Sequence, residues 1–216
     1  MKIVKLSKGE LEGFGIERSC DTRVYFHPVK LVGWIFWHRL GKMLEMAEPE
    51  KSEVALDFGC GQGLFLPTLS RYYDKVIGID IRSCPQTKKM LMGLNCSNVE
   101  VLQMDGSNTS FDDGTFDVVF CADALEHFKD LKIPLAEIQR ILKPSGKLVI
   151  NSPLETRFFG FIRSLAGYKK PADHYHSAKE ICEETSKFFK INKKYNFPHF
   201  FGLFRILEII AAQKER

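Results

Sequence analysis

Three glycines alternate with other residues in Asp57-Phe58-Gly59-Cys60-Gly61-Gln62-Gly63. They follow the apolar run Val54–Phe58 and precede a helical pattern, at the point where a strand turns into a helix. Glycines there let the backbone bend sharply and bring main-chain N–H groups against a ligand, with the helix N-terminus adding partial positive charge. The spacing is G-x-G-x-G. A dinucleotide fingerprint reads G-x-G-x-x-G/A and needs a small residue at position 64, where this chain has Leu64. The Lys-Ser/Thr ending of a phosphate-cradling loop is also missing. Asp57 would repel a pyrophosphate but favour an ammonium. Asp80, at the end of the next apolar run, is placed to accept hydrogen bonds from ribose hydroxyls. The ligand implied is a nucleoside that carries positive charge.

Two further groups could move protons. His127, in Asp123-Ala124-Leu125-Glu126-His127-Phe128, follows the fourth strand candidate at the end of the sheet where ligands bind, and its near-neutral pKa suits taking a proton. The competing reading is a histidine that orients the ligand loop or packs. In Asp173-His174-Tyr175-His176, alternation puts His174 and His176 on one face of an extended segment, where they are expected to meet substrate. Surface histidines ahead of a helix are the alternative. A metal is not expected, because no third ligand stands at an obvious spacing.

The elements that must position these residues alternate short apolar runs with helical patterns, the signature of βα units and a parallel sheet. The expected strands are Val54–Phe58, Lys75–Asp80, Val99–Gln103, Phe116–Cys121 and Lys147–Ser152. Helices are expected over Leu64–Tyr73, Pro85–Leu94 and Asp130–Lys143, the last stopped by Pro144-Ser145-Gly146. Pro28–Ala47 reads as one amphipathic helix. Ser177 and Glu180 form a capping box that opens a helix to Lys187. Two strand-like runs, Phe188–Tyr195 and Phe204–Ala212, should pair antiparallel at the sheet edge. The fold class is therefore α/β, a doubly wound seven-stranded mostly parallel sheet with an antiparallel C-terminal hairpin at its edge. Residues 1–48 are expected as a helical cap on a domain of residues 49–216, with 154–176 as a substrate lid.

With 216 residues, 44% hydrophobic and 27% charged, composition is ordinary globular usage. Thirty-one Lys and Arg against 27 Asp and Glu leave +4, a balance that selects no partner class. Six cysteines without a C-x-x-C pair read as reduced thiols in a cytoplasmic protein. No apolar run reaches the roughly 18–20 residues of a bilayer span, and the N-terminus lacks a signal peptide's apolar block. A secreted or integral membrane protein is not expected.

Residues 54–153 resemble the Rossmann-like (class I) S-adenosylmethionine-dependent methyltransferases, in particular the group acting on small molecules. The matching motifs are Ala55–Gly63, Val76-Ile77-Gly78-Ile79-Asp80, Leu102-Gln103-Met104-Asp105-Gly106, Phe116–Phe120, Leu125-Glu126-His127 and Arg140–Leu148, in the family's order. The resemblance implies S-adenosyl-L-methionine as cofactor and S-adenosyl-L-homocysteine as product. It implies that Asp80 holds the ribose and Asp105 the adenine amino group. Gly59 and Gly61 line the methionine moiety and ribose, Ala122 and Asp123 lie near the methionyl group, and Asp57 meets its ammonium. Cys60, Ile81 and Gly106 complete the implied cofactor site. Methyl transfer from a sulfonium is an in-line displacement, so alignment and water exclusion matter most, and a base such as His127 is needed only for a protonated acceptor.

The acceptor is approached by exclusion. Family members that methylate base amines carry Asn/Asp-Pro-Pro-aromatic after the fourth strand, where this chain reads Ala122-Asp123-Ala124-Leu125. Asn151-Ser152-Pro153-Leu154 follows the fifth strand instead. The Pro-Cys nucleophile of cytosine-carbon enzymes is missing, since Cys121 follows Phe120. Nucleic acid is therefore not the expected partner. The aromatic flanks Leu31–Trp37 and Phe158–Ile162 could line a pocket for a small apolar or lipid-like acceptor. They could instead make peripheral membrane contact, with Lys30, Arg39, Lys42, Arg157, Arg163, Lys169 and Lys170 meeting anionic head groups. The alternatives are a protein or RNA acceptor, and a non-catalytic nucleoside-binding regulatory module.

Overall fold

The protein is seen here as a computed structural model that describes residues 1–16, 20–82, 85–154, 173–197 and 207–215. Seven strands form one sheet: β1 (Val54–Phe58), β2 (Lys75–Asp80), β3 (Val99–Gln103), β4 (Phe116–Ala122), β5 (Leu142–Pro153), β6 (Lys190–Phe197) and β7 (Leu207–Gln213). Their order across the sheet is β3-β2-β1-β4-β5-β7-β6. β1 to β5 run parallel, and β7 pairs antiparallel with both β5 and β6. The expected mostly parallel sheet with an antiparallel end is therefore observed. Within it, the later strand of the hairpin lies inside and the earlier one outside. Composition explains that order: Ile209 and Ile210 of β7 are buried, whereas Lys190, Lys193 and Lys194 charge the exposed edge of β6.

Adjacent residues of each strand serve opposite faces of the sheet. Val118, Phe120, Val149 and Ile209 face one core layer, and Val119, Cys121, Ile150 and Ile210 face the other. Among the described residues the α-helices are α1 (Lys8–Gly13), α2 (Cys20–Arg23), α3 (Lys30–Ala47), α4 (Leu66–Leu69), α5 (Pro85–Gly93), α6 (Lys132–Ile141) and α7 (Ala178–Phe188). Trp37, Leu40, Met43 and Leu44 of α3 join Leu66 and Leu69 of α4 and Met90 of α5 in the first layer. Leu135, Ile138 and Ile141 of α6 and Ile181 and Cys182 of α7 fill the second. Leu6, Leu11, Ile16 and Tyr25 of the N-terminal segment are buried in the first layer too. Among the described residues no helix is long and apolar enough to cross a membrane, and no disulfide forms among the described cysteines.

Two helices are shorter than their patterns. Over Leu64–Tyr73 only α4 is regular, although Ser70 N still donates to Leu66 O at 2.9 Å and Tyr73 N to Leu69 O at 3.1 Å. α6 ends at Ile141, because Leu142 already pairs with Phe116 as the first residue of β5. Pro144-Ser145-Gly146 then form an irregularity inside that strand: the next pairing is Val118 with Lys147, and Ser145 takes φ 63°. The turn chemistry was legible, but the sheet absorbs it. The capping box is present, with Ser177 N donating to Glu180 Oε2 at 2.8 Å. β1 and β4 are neighbours although β2 and β3 separate them in the chain, so the strand order reverses there and opens a crevice beyond their C-terminal ends.

Candidate active site

Gly59, Gly61 and Gly63 take φ of 76°, 53° and 74°, a backbone open to glycine and strained for other residues. The loop folds back onto β2. Gly59 N and Cys60 N both donate to Ile79 O, at 2.9 and 2.8 Å, and Gly61 N donates to Asp80 Oδ2 at 2.9 Å. Contacts also demand glycine at two positions: a Cβ on Gly59 would lie 2.6 Å from Ala124 Cβ, and one on Gly63 would overlap Thr87 Cγ2. Gly63→Ala is expected to cost about 2 kcal/mol of stability, from the left-handed backbone and the overlap together. Urea denaturation checks this, and an unchanged midpoint would mean that the loop is not so constrained.

Asp80 shapes this turn with both carboxylate oxygens. Its Oδ1 accepts from Arg82 N at 2.9 Å and from Arg82 Nε at 3.2 Å. The Arg82 side chain is 55% exposed, so it can yield that edge to a ligand. Asp57, one strand away, is 2% exposed. Burial pushes its carboxyl up to about 7, and the neighbouring Asp80 charge adds to the shift. A cation placed beside such a carboxyl favours its ionised form.

Asp105 follows β3, is exposed, and accepts from Ser107 N at 2.8 Å through Oδ1. The turn-carboxylate geometry and a place in the crevice coexist. At the end of β4, Asp123 adopts φ 52° and is fixed from two sides. Asn151 Nδ2 donates to its Oδ1 at 2.6 Å, and Arg39 Nη1 of α3 forms an ion pair with its Oδ2. Arg39 Nη2 donates to Tyr25 Oη at 2.9 Å, and the guanidinium lies 4.6 Å from the Phe36 ring centre. Burial opposes the charge on Arg39, and Asp123 and Tyr25 outweigh it.

This corrects the reading of Arg39 as a surface cation. The residue is 3% exposed and holds α3 against the end of β4. The overlooked signal is its position between Ile35 and Met43, four residues from each on the helix's apolar face. In the same flank Ile35 and Trp37 are buried, whereas Leu31 and Trp34 are 55% and 43% exposed. The second aromatic flank, 158–162, and most of the expected lid lie outside the described residues.

A short 3₁₀ turn, Leu125–His127, follows β4. Glu126 there is buried, and neither carboxylate oxygen has a hydrogen-bond partner on another described residue. Burial pushes it up to about 8, and Asp123 adds to the shift. Glu126 drew no functional reading from sequence, where it is one letter of a common motif. Tyr175 N donates to Glu126 O at 2.8 Å and so brings residues 173–176 against this turn. His127 Nδ1 lies 3.0 Å from Asp173 Oδ2, and the His127 and His174 rings meet edge to face at 4.8 Å. His176 goes elsewhere, its Nε2 lying 3.2 Å from Lys129 O.

One cleft of about 1010 Å³ gathers Asp57, Gly59, Cys60, Gly61, Asp80 and Ile81 with Asp105, Gly106, Ala122 and Asp123. His127, Asp173 and His174 line it too, as do Tyr25, Phe36, Arg39 and Leu40 from the N-terminal segment. His176 is not part of its wall. The cleft therefore joins the glycine loop and the strand-end carboxylates to a histidine-bearing wall.

A family model described as a methyltransferase domain matches residues 56–150. An uncharacterized methyltransferase of Bacillus subtilis is 26% identical over 176 residues, 74% of this chain and 66% of that protein. A ubiquinone biosynthesis O-methyltransferase of Coxiella burnetii is 25% identical over 134 residues, 58% of this chain and 54% of its own. A sterol 4-C-methyltransferase of Caenorhabditis elegans is 29% identical over 150 residues, 65% of this chain and 44% of its own. The chain thus spans about two thirds or less of the length of these curated relatives. Among solved structures, the N-methyltransferase NodS of Bradyrhizobium japonicum with S-adenosyl-L-homocysteine superposes with a TM-score of 0.67 at 15% identity, covering 96% of this chain and 99% of that one. Residues 56–150 thus match a methyltransferase domain, and the chain has the Rossmann-like fold of S-adenosylmethionine-dependent methyltransferases.

Proposed function

We propose that this chain transfers a methyl group from S-adenosylmethionine to a small, apolar or lipid-like acceptor held in the same cleft. The observation that carries this is the meeting, in one cavity, of the glycine cradle with its two carboxylates and a wall of Tyr25, Phe36 and Leu40. The cradle fits the cofactor: Gly59, Gly61 and Gly63 leave the loop backbone without side chains, and a cation beside the buried Asp57 carboxyl would favour its ionised form. When bound, S-adenosylmethionine supplies a methyl group already activated by the sulfonium, so the protein's tasks are alignment and exclusion of water. In this reading Asp80 holds the ribose, Asp105 the adenine amino group, and Asp57 the ammonium, with Gly59, Gly61 and Ala122 lining the methionyl path. Asp123 acts through Arg39, fixing the wall opposite the cradle. For an acceptor that arrives protonated, His127 takes the proton at Nε2 while Asp173 holds Nδ1–H. The names of two relatives, a ubiquinone biosynthesis O-methyltransferase and a sterol 4-C-methyltransferase, support an apolar acceptor.

Calorimetric titration with S-adenosylmethionine, S-adenosylhomocysteine and NAD tests the cofactor. Asp80→Ala is expected to weaken S-adenosylmethionine binding about tenfold, the loss of a hydrogen bond to a charged group. Binding of NAD alone would overturn the reading. Label transfer from methyl-labelled cofactor then tests the acceptor, offered as catechols with polyprenyl tails, sterols, protein and RNA. Label in protein or RNA alone would replace the apolar acceptor. Cofactor binding with no transfer to any of them would favour a regulatory nucleoside-binding module.

A further inference from the structure

The side chains at the mouth of the cleft form a constellation that aligning a methyl group does not require. His127 follows β4, and Asp173 lies 46 residues later on another segment. The Tyr175 N–H to Glu126 carbonyl bond holds the two segments together. As a result one donor atom from each of His127, Asp173 and His174 lies within 4.8 Å of the other two. Donors around a tetrahedral ion stand roughly 3.4 Å apart when each is about 2.1 Å from it. The His127 and Asp173 side chains are 40% and 62% exposed, so they can close that difference by rotation.

Glu126 is an independent observation on the same spot. It is buried next to His127, lines the same cleft, and has no hydrogen-bond partner on another described residue. Carboxylates gathered in a cleft are stabilised by a positive ion among them.

We propose that His127, Asp173 and His174 bind a divalent transition-metal ion, Zn²⁺ foremost, at the mouth of the cleft. Two imidazoles and one carboxylate suit Zn²⁺, Co²⁺ or Fe²⁺, whereas Mg²⁺ and Ca²⁺ prefer all-oxygen ligands. Three protein ligands leave a coordination position open, as catalytic zinc sites do. His127, Asp173 and His174 all line the cleft, so an ion held by them would favour loss of the proton of an acceptor hydroxyl to solvent. His127 is then a ligand and no longer the proton acceptor. This consequence rests on the proposed methyl transfer; ion binding itself does not. Sequence spacing hid the site because its third ligand is His127 and because His176, the partner suggested by alternation, is turned to Lys129.

The full chain, stripped with a chelator, is titrated with Zn²⁺ alone by calorimetry and with Co²⁺ by visible absorption. A single saturable site with the absorption bands of histidine-bound Co²⁺ is expected. His127→Ala, His174→Ala and Asp173→Asn should each weaken binding at least tenfold, and His176→Ala should leave it unchanged. Far-ultraviolet circular dichroism verifies that each variant is folded. Absence of saturable binding, or equal affinity in the His127→Ala/His174→Ala double variant, overturns the proposal. A chain that binds Zn²⁺ but not S-adenosylmethionine keeps the ion site and loses the methyl-transfer reading, so the two failures are distinct.

Discussion

Lowering the pH from 7 to 5 is expected to weaken S-adenosylmethionine binding roughly fiftyfold, because the cofactor's ammonium is met by the ionised form of Asp57. The carboxyl titrates near 7 in the free protein, raised first by burial and then by Asp80. An ammonium beside it lowers that pKa, so binding releases a proton. Affinity therefore rises with pH, about tenfold per unit below 7, and gains only about twofold above it. The same shift acts on folding with the opposite sense. The free folded chain holds a proton that the unfolded chain, with an ordinary Asp pKa, releases between about pH 4 and 7. This group's contribution to stability is thus complete below that window and is lost as pH rises through it. Titration calorimetry between pH 5 and 8 checks the binding profile, and Asp57→Asn should flatten it. A flat profile in the unmodified chain would remove Asp57 from the ammonium site.

Replacing Arg39 with leucine is expected to cost about 3 kcal/mol of stability. Arg39 is the buried partner of Asp123, whose other hydrogen bond comes from Asn151. Removing the guanidinium leaves the Asp123 carboxylate, 29% exposed, with that one neutral partner and some water. It also orphans the Tyr25 hydroxyl and removes the contact over Phe36. Lysine should rescue little, since a point charge cannot reach Asp123 and Tyr25 together as the planar fork does. Chemical denaturation reads the effect. A loss below about 1 kcal/mol would show that apolar contacts of Trp37, Leu40 and Met43 alone seat α3 on the sheet.

The strands, the glycine loop and the carboxylates at the strand ends were legible before any coordinates. Each depends on residues within a few positions of one another: apolar runs for β1 to β5, alternating glycines for the bend, an Asp where a run ends. Those features survive folding because a parallel strand buried on both faces admits little else than Val, Ile, Leu and Phe. The exceptions follow from competition between levels. The helix stop at Pro144-Ser145-Gly146 became an irregularity of β5 because pairing Leu142 with Phe116 buries both side chains fully.

Local pattern alone determined the parallel strands, the glycine loop and the family resemblance. Only the tertiary structure decided that Arg39 reaches Asp123 across 84 positions, that Asp173 reaches His127 across 46, and that β7 inserts between β5 and β6. Periodicity reports which face of an element is apolar. Which distant side chains share a place depends on how the packed layers bring their ends together, and at this cleft that convergence supplies the buried ion pair and the histidine cluster.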